Sequence, residues 1–260
     1  MKKVRAKKHL GQHFLNDLSI AQRITESLVI PPTSVIEVGP GMGVLTQYLV
    51  ENRDINFKVV EIDSESIEYL YNNFPQLKDS IIEGDFLEMD FPKTFSDKIS
   101  IIGNFPYNIS SQIFFKVYDN RNQVEQVVGM VQREVGRRIA SGPGSKEYGI
   151  LSVLLQSFYD IEYLFTVDED VFTPPPKVKS AVIRLTRNNV EQLDFDEKLF
   201  KRVIKGAFNQ RRKMLRNSLS SAQIDISALG DTPFLTLRPE QISVADFQEI
   251  TRLIEKNSAK

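Results

Sequence analysis

Five short runs of β-branched and other apolar residues alternate with helix-patterned segments over the first 140 residues. The runs are SVIEV, FKVVE, SII, ISII and QVVGMV, and segments such as SESIEYLYNNF between them carry apolar residues at helical spacing. Strands that alternate with helices favour a parallel, doubly wound sheet whose ligands bind at the carboxyl ends of the strands. We therefore predict an α/β fold.

The pattern changes near residue 188. The segments FDEKLFKRVIKGAFNQRRKMLRNSLSSA and SVADFQEITRLIEKN have helical spacing, and no strand-like run follows residue 187. The length of 260 residues suits one large domain and one smaller domain. We predict an α/β domain over residues 1–187 and a small all-α domain over residues 188–260.

Composition narrows the class of protein. No apolar run approaches the roughly 18 residues of a membrane span, and MKKVRAKKHLGQHFL lacks the apolar region of a secretory signal. The chain has no cysteine, which excludes disulfides and thiolate metal sites, and its two histidines disfavour a histidine-rich metal site. We therefore expect a cytoplasmic protein without metal or membrane contact, with a monomer as the default state.

The net charge of −1 conceals three basic blocks without acidic residues. Residues 1–8 carry five cations, residues 177–187 four and residues 201–216 seven. A near-neutral chain with such concentrated positive charge is a candidate for a polyanion partner. A single block is more often a solvated surface, or packs its aliphatic stems on a neighbouring domain. The cations that we assign to a polyanion are Lys7, Lys8, Arg211, Arg212 and Lys213.

The segment EVGPGMG places glycines between the first strand-like run and a helix. Gly39 and Gly41 permit a tight turn and a close approach of the backbone to a ligand. Val44 stands where a dinucleotide-binding loop has its third glycine, which disfavours NAD and FAD and favours a nucleoside without a pyrophosphate. Glycines at a strand–helix turn are also often purely structural.

Two acidic residues end the next two runs. Glu61 stands twenty residues after Gly41, where a carboxylate can accept from ribose hydroxyls, and Asp85 is well placed for an adenine edge. A lone carboxylate at a strand end is more often a helix cap. Acids at successive strand ends beside a glycine loop, however, describe an adenosine-shaped slot, and S-adenosylmethionine would fit it.

The tetrad Asn104-Phe105-Pro106-Tyr107 follows the fourth run and is expected on the same rim. The Asn104 side-chain oxygen and the Pro106 main-chain carbonyl can accept from the two N–H groups of an adenine amine. Such bonds favour a pyramidal nitrogen whose lone pair points at a methyl donor, and Tyr107 can stack on the base. The alternative is a proline turn that caps the strand, with Asn104 bonded to its own backbone.

Taken together, the motifs resemble the ribosomal RNA adenine N6-dimethyltransferases, and among these the KsgA/RsmA type. The resemblance begins near residue 5, extends to the C-terminus, and rests on GQHFLND, EVGPGMGVLT, VVEID, GDFLEMD, GNFPYNISS, VFTPPPKVKSAVIRL and AFNQRRKMLRNSL. It implies a Rossmann-like class I methyltransferase domain with a small C-terminal all-α domain. It also implies dimethylation of two adjacent adenines near the 3′ end of small-subunit rRNA, in a pre-assembled 30S particle late in biogenesis.

The resemblance also implies which residues contact each ligand. Asn104, Pro106 and Tyr107 would form the catalytic edge, and Phe172 would be the second aromatic residue that, with Tyr107, sandwiches the target base. The residues expected to contact S-adenosylmethionine are His13, Leu15, Gly39, Gly41, Glu61, Asp85 and Asn104.

The sequence departs from the family pattern at two positions, and two other functions are compatible with its motifs. His13 stands where many members have Asn, and Phe105 where many have Leu. An antibiotic-resistance methyltransferase of large-subunit rRNA shares the tetrad, although FNQRRKMLRNSL and FTPPPKVKSAV favour the small-subunit type. A protein that acts chiefly as an RNA-binding assembly factor would need the basic blocks but not the tetrad.

Overall fold

The computed structural model describes residues 4–31 and 33–258, so Lys2 and Lys3 of the first basic block lie outside the described residues. Within these residues the strands are β1 (Phe14–Leu15), β2 (Ser34–Val38), β3 (Asn56–Glu61), β4 (Ile81–Glu83), β5 (Ile99–Asn104), β6 (Val124–Gln132), β7 (Tyr159–Val167), β8 (Phe172–Thr173) and β9 (Ser180–Arg187). The helices are α1 (Leu18–Glu26), α2 (Thr46–Leu49), α3 (Ser64–Asn73), α4 (Phe91–Thr94), α5 (Ser110–Asp119), α6 (Arg133–Ala140), α7 (Ile150–Gln156), α8 (Glu197–Asn209), α9 (Leu215–Ser221) and α10 (Val244–Ser258).

Seven of these strands form one sheet in the order β4-β3-β2-β5-β6-β9-β7. The α/β prediction is confirmed, and β4, β3, β2, β5 and β6 pair in parallel. The sheet is mixed rather than purely parallel, because β9 pairs antiparallel with β6. The Arg133 amide, just past the end of β6, donates to the Lys179 carbonyl just before β9 (2.9 Å), so β9 starts where β6 stops.

Neither β7 nor the small ribbon of β1 and β8 was predicted from the sequence. Along β7 residues 160, 162 and 166 are exposed and the residues between and beside them are buried or half-buried, so its period of two was present in the sequence and was missed. Each ribbon strand has two residues, which is too short for any pattern, and the pairing joins Phe14 to Thr173 and Leu15 to Phe172. The ribbon therefore depends on contacts between distant parts of the chain.

The chain divides into two compact units. The described residues up to Arg137 form one unit with Asp160–Arg187, and Arg138–Tyr159 forms the other with the described residues from Asn188 onward. The division after residue 187 coincides with the predicted domain boundary, whereas 138–159 had been placed in the first domain. That segment groups with the second unit because the Tyr148 ring packs on Phe208 of α8 at 6.0 Å between centroids.

The first unit is organised around β2, which is buried along its whole length. Its one acidic residue, Glu37, accepts from the Thr46 hydroxyl of α2 at 2.6 Å. Burial raises the pKa of the Glu37 carboxyl to about 8. The bond joins the strand to the helix across the glycine-rich turn, and it does so with a carboxyl that holds its proton at neutral pH.

This carboxyl predicts how stability depends on pH. Since its pKa is about 8 in the folded protein against an ordinary 4.5, the folded state keeps a proton that the unfolded state releases. Stability should therefore fall as pH rises through this window, by up to about 1.4 kcal/mol per pH unit from this group. The free energy of unfolding, measured by urea denaturation at several pH values in this window, should fall less steeply with pH for Glu37→Gln. The exposed control Glu191→Gln should show the same pH dependence as the wild type. Equal slopes in all three proteins would contradict the assignment.

Candidate active site

The glycine loop after β2 turns with left-handed backbone at Gly39 and Gly41, whose φ values are +65° and +56°. L side chains rarely adopt this conformation, so glycine is required here. A Cβ added at Gly39 would lie 3.8 Å from the Pro106 ring. The loop and the tetrad that sequence analysis singled out therefore meet at the carboxyl edge of the sheet.

Glu61, at the end of β3, is buried beside this loop. One carboxylate oxygen accepts from the Gly41 amide (3.1 Å), and the other accepts from the amides of Ile62 and Asp63 (both 2.9 Å). Burial raises the pKa of Glu61, and these amide bonds oppose the rise. A carboxylate offers about four acceptor positions, so one remains for a ligand hydroxyl.

Asp85 caps the turn that follows β4. Its carboxylate accepts from the Leu87 amide at 2.8 Å, which is the capping role considered as the alternative to a ligand contact. The Lys116 ammonium, from α5, donates to the carbonyls of Leu87 (2.8 Å) and Met89 (2.6 Å) and holds the same turn. Asp85 is half-buried, and its contact with an adenine edge stays a prediction.

Asn104 ends β5 and is half-buried. Its side-chain amide nitrogen donates to the main-chain carbonyl of His13 at 2.8 Å. A carbonyl can only accept, so the nitrogen end of the carboxamide faces His13 and the oxygen end faces away from that bond. The oxygen is thus the end left for a substrate N–H, and the side-chain nitrogen bonds to His13 rather than to the backbone of Asn104 itself, as the alternative had it.

Pro106 and Tyr107 continue the edge. The Pro106 carbonyl accepts from the Ile109 amide at 3.2 Å and keeps a second lone pair. The Tyr107 hydroxyl bonds to the buried Ser180 hydroxyl, and burial raises the pKa of the phenol. The Tyr107 ring lies 5.1 Å from the His13 ring, at an interplanar angle of 34°. Tyr107 is therefore held at both its hydroxyl and its ring.

Phe105 points away from this edge into the core. It is 1% exposed and packs edge-on against Phe114 at 5.9 Å. Glycines at 103 and 129 make room for it, because a Cβ at either position would lie within 3 Å of the Phe105 ring. The bulk of Phe105 is therefore accommodated in the core.

The segment around His13 reaches the edge from outside the main sheet. His13 Nδ1 bonds to the Pro174 carbonyl at 2.8 Å, so this nitrogen carries the proton. Leu15 is 4% exposed and belongs to the core, which leaves its main chain rather than its side chain for a ligand contact. The predicted contacts of both residues with the methyl donor stay predictions.

Phe172 lies in the core, and its predicted role as the second stacking residue stays a prediction. It is 2% exposed, because it pairs with Leu15 in the β1–β8 ribbon and packs in the same core cluster. A buried ring offers no face to a base. In this structure Tyr107 alone, of the two predicted stacking residues, lies partly open at the edge.

The predicted RNA-binding cations divide into two groups. Lys7 bonds to the Asp63 carboxylate and lies 3.5 Å from Glu65, and Arg211 lies 3.7 Å from Glu240 and donates to the Tyr148 carbonyl (3.4 Å). Both are engaged within their own unit, so an RNA phosphate would have to compete with these partners, and their predicted contact with RNA stays a prediction. Of the five predicted RNA-binding cations, the other three, Lys8, Arg212 and Lys213, are exposed.

Sequence analysis missed an apolar residue at this rim. Ile62 directly follows Glu61 and is 54% exposed. An apolar side chain in the open beside a ribose acceptor suits the flat face of an adenine ring. Its position in VVEID, one residue past the acidic strand end, was the available signal.

The described residues contain no helix able to span a membrane, and no group of three or more side chains placed to hold a metal. Left-handed glycines beside a buried carboxylate, with an amide edge on the same rim, fit an adenosine-containing methyl donor without a pyrophosphate. Fold and site together define a Rossmann-like class I methyltransferase.

Comparison with known proteins narrows this class to a family. The sequence model described as "Ribosomal RNA adenine dimethylase" matches residues 3–229. The chain belongs to the ribosomal RNA adenine dimethylase family. It is 58% identical to the Ribosomal RNA small subunit methyltransferase A of Cytophaga hutchinsonii, over 98% of this chain and 99% of that one. It is 55% identical to the protein of that name from Parabacteroides distasonis, over 100% and 98%.

Solved structures agree on the fold. A dimethyladenosine transferase from Plasmodium falciparum has a TM-score of 0.75 and 22% identity, covering 92% of this chain and 96% of that one. The 23S rRNA methyltransferase ErmE has a TM-score of 0.66 and 24% identity, covering 92% and 99%. These neighbours support the α/β architecture described above.

The close contact between Gly129 and the Phe105 ring predicts that a side chain at position 129 lowers the stability of the protein. In Gly129→Ala the new Cβ would lie 2.4 Å from the Phe105 ring, so we expect a loss of about 1–3 kcal/mol in the free energy of unfolding. Urea denaturation measures it, with Gly142→Ala as the matched control, since nothing lies within 4 Å of a Cβ there. Adding Phe105→Leu to Gly129→Ala should recover part of the loss. Equal stability of Gly129→Ala and Gly142→Ala would show that Phe105 is not tightly packed against Gly129.

Proposed function

We propose that this protein dimethylates the N6 amines of two adjacent adenines near the 3′ end of small-subunit rRNA, with S-adenosylmethionine as methyl donor. The observation that carries the proposal is the Asn104 carboxamide, whose nitrogen end is engaged by the His13 carbonyl and whose oxygen end is left to accept from a substrate N–H. Relatives more than half identical over nearly their full length are named for the small subunit. We take the physiological substrate to be rRNA in a pre-assembled 30S particle, acted on in the cytoplasm by a monomer.

Residues at three successive strand ends would hold the methyl donor. Gly39 and Gly41 bring the backbone close to the ligand, the free acceptor position of Glu61 takes a ribose hydroxyl, and Asp85 takes an adenine N–H. Ile62 covers the apolar face of the adenine. When bound, S-adenosylmethionine supplies an electrophilic methyl group on a sulfonium.

The chain's own contribution is to aim the nucleophile. An adenine amine is a weak nucleophile because its lone pair is delocalised into the ring. Bonds from its two N–H groups to the Asn104 oxygen and the Pro106 carbonyl favour a pyramidal nitrogen with a localised lone pair. Fixed positions for both acceptors also align the nitrogen, which is the larger part of what such a site can supply. No general base has to be near the amine before the transfer.

The target base must leave its stack to reach this edge. Adenine in a helix cannot enter a side-chain-lined site, so the substrate is single-stranded or extruded there. The Tyr107 ring, held by Ser180 at its hydroxyl and by His13 at its ring, gives the extruded base a prepared surface. Stacking of this kind contributes on the order of 1–3 kcal/mol per base.

Asn104→Ala tests the mechanism. We expect methyl transfer to fall by at least about a hundredfold, because one of two amine acceptors is lost, while particle binding changes little. Isolated small-subunit particles and naked large-subunit RNA are incubated separately with radioactive methyl donor, and modified positions are mapped by primer extension. The wild-type protein should modify two adjacent adenines near the 3′ end. Full labelling by the variant would overturn the mechanism, and wild-type modification confined to large-subunit RNA would overturn the substrate.

The exposed basic residues predict a salt effect. Replacing Arg212 and Lys213 with Ala should weaken RNA binding and reduce the salt slope of log K by about two, because two phosphate contacts are lost. The comparison is Arg211→Ala, whose side chain already contacts Glu240 and the Tyr148 carbonyl. That variant should lose stability and keep the salt slope. An unchanged slope in the double variant would mean that this block is only solvated.

A further inference from the structure

The orientation of the Asn104 carboxamide depends on a segment outside the sheet. The carbonyl that fixes it belongs to His13. His13 lies in the segment of described residues 4–13 that precedes β1, which we call the arm. If the carboxamide were turned over, its NH2 group would face the target amine, and two donors would meet. What holds the arm therefore decides which end of Asn104 the substrate meets.

The arm is attached beyond β5 by Asn108. The side-chain amide nitrogen of Asn108 donates to the main-chain carbonyl of His9 at 3.2 Å. Gly11 turns with φ +64°, and a Cβ there would lie 2.6 Å from the Asn108 side-chain oxygen. The arm thus passes against the residue that follows the tetrad, and it needs a glycine to do so.

A second attachment of the arm is to Asp63, which lies two residues after the end of β3. The side chain of Asp63 is fully buried, and its carboxylate receives the Lys7 ammonium and the Gln12 amide nitrogen (3.4 Å) from the arm. Within the arm the Lys7 amide donates to the Gln12 side-chain oxygen at 2.8 Å. Lys7 and Gln12 therefore form one polar cluster with Asp63. We call Lys7, Gln12 and Asp63 the arm latch.

The latch also joins the donor site to the acceptor edge. The Asp63 amide donates to Glu61, the proposed ribose acceptor, at 2.9 Å. At its other end the arm leads to the His13 carbonyl on Asn104 and the His13 ring on Tyr107. The arm thus connects residues assigned to the methyl donor with residues assigned to the target base.

We infer that Lys7 is a positioning residue: paired with Asp63, it fixes the N-terminal arm so that the His13 carbonyl presents the Asn104 oxygen to the target amine. The inference rests on the proposed function. It replaces the expectation that Lys7 contacts RNA phosphate, since a phosphate would have to displace a buried carboxylate. The latch acts on catalysis through His13 and does not touch the reacting atoms.

The test uses Lys7→Met, which keeps an unbranched side chain one atom shorter than that of Lys and removes its charge. We expect kcat on small-subunit particles to fall about ten- to a hundredfold, through misorientation of Asn104, with KM for the particle nearly unchanged. Hydrogen exchange of the peptide covering residues 5–13, measured by mass spectrometry without RNA, should speed up. The control Lys78→Met alters an exposed lysine of the same unit and should change neither quantity.

Two further variants separate the latch from a purely local effect. Lys7→Arg keeps an ion pair and should restore most of kcat. Asp63→Asn removes the partner charge, and in that background Lys7→Met should cost little more, because residues that act as a unit are not additive. Binding of S-adenosylhomocysteine, followed by calorimetry, reports the donor side without RNA and should weaken in Lys7→Met.

The possible results distinguish this inference from the proposed function. A wild-type protein that methylates no adenine overturns the proposed function itself. An active wild type with unchanged kcat and unchanged exchange in Lys7→Met overturns the latch. A Lys7→Met variant with normal kcat and a raised, salt-dependent KM for the particle also overturns it and returns Lys7 to RNA binding.

Discussion

The Glu61 carboxylate holds three backbone amides at the carboxyl edge of the sheet, and the rest of the site depends on it. Its bond to Gly41 fixes the glycine loop after β2, and its bond to Asp63 fixes the start of α3. Asp63 in turn receives Lys7 from the N-terminal arm. Because Glu61 is buried, these bonds form where water competes poorly, which makes each of them stronger than it would be at the surface. One acidic side chain thus sets the relative positions of a loop, a helix and the arm.

The acceptor edge is stiff for a different reason, which is packing. Phe105 fills the space above two glycines, so the main chain on either side of it has little room to move. Asn104 precedes this anchor and Pro106 follows it, and both lie partly open. The two acceptors proposed for the target amine therefore flank a buried aromatic residue. Their spacing is set by the core rather than by a flexible surface turn.

Sequence patterns predicted the sheet and the rim because both follow from local order. β-branched runs define strands, and parallel strands bring Gly39, Glu61, Asp85 and Asn104 to one edge. Side-chain contacts between distant residues were not predictable in this way. Lys7 was assigned to RNA because its carboxylate partner lies 56 residues away in the sequence. Phe172 was assigned to the target base by family resemblance, and its burial depends on a two-residue ribbon. In both cases the tertiary partner, invisible to periodicity, decides what the side chain can do.

The fixed carboxamide of Asn104 has a consequence for how the reaction proceeds in the proposed enzyme. An unmodified amine brings two N–H groups to two oxygen acceptors, but a singly methylated amine brings only one. Asn104 cannot turn to compensate, since its nitrogen end is engaged by the His13 carbonyl. The intermediate is then held by one hydrogen bond fewer than the starting base, so it is the weaker ligand. Stacking on Tyr107 and the RNA contacts decide whether the singly methylated base stays bound for the second methyl transfer. The yield of dimethyladenine then depends on how fast this base is released compared with how fast its amine is realigned with a new methyl donor.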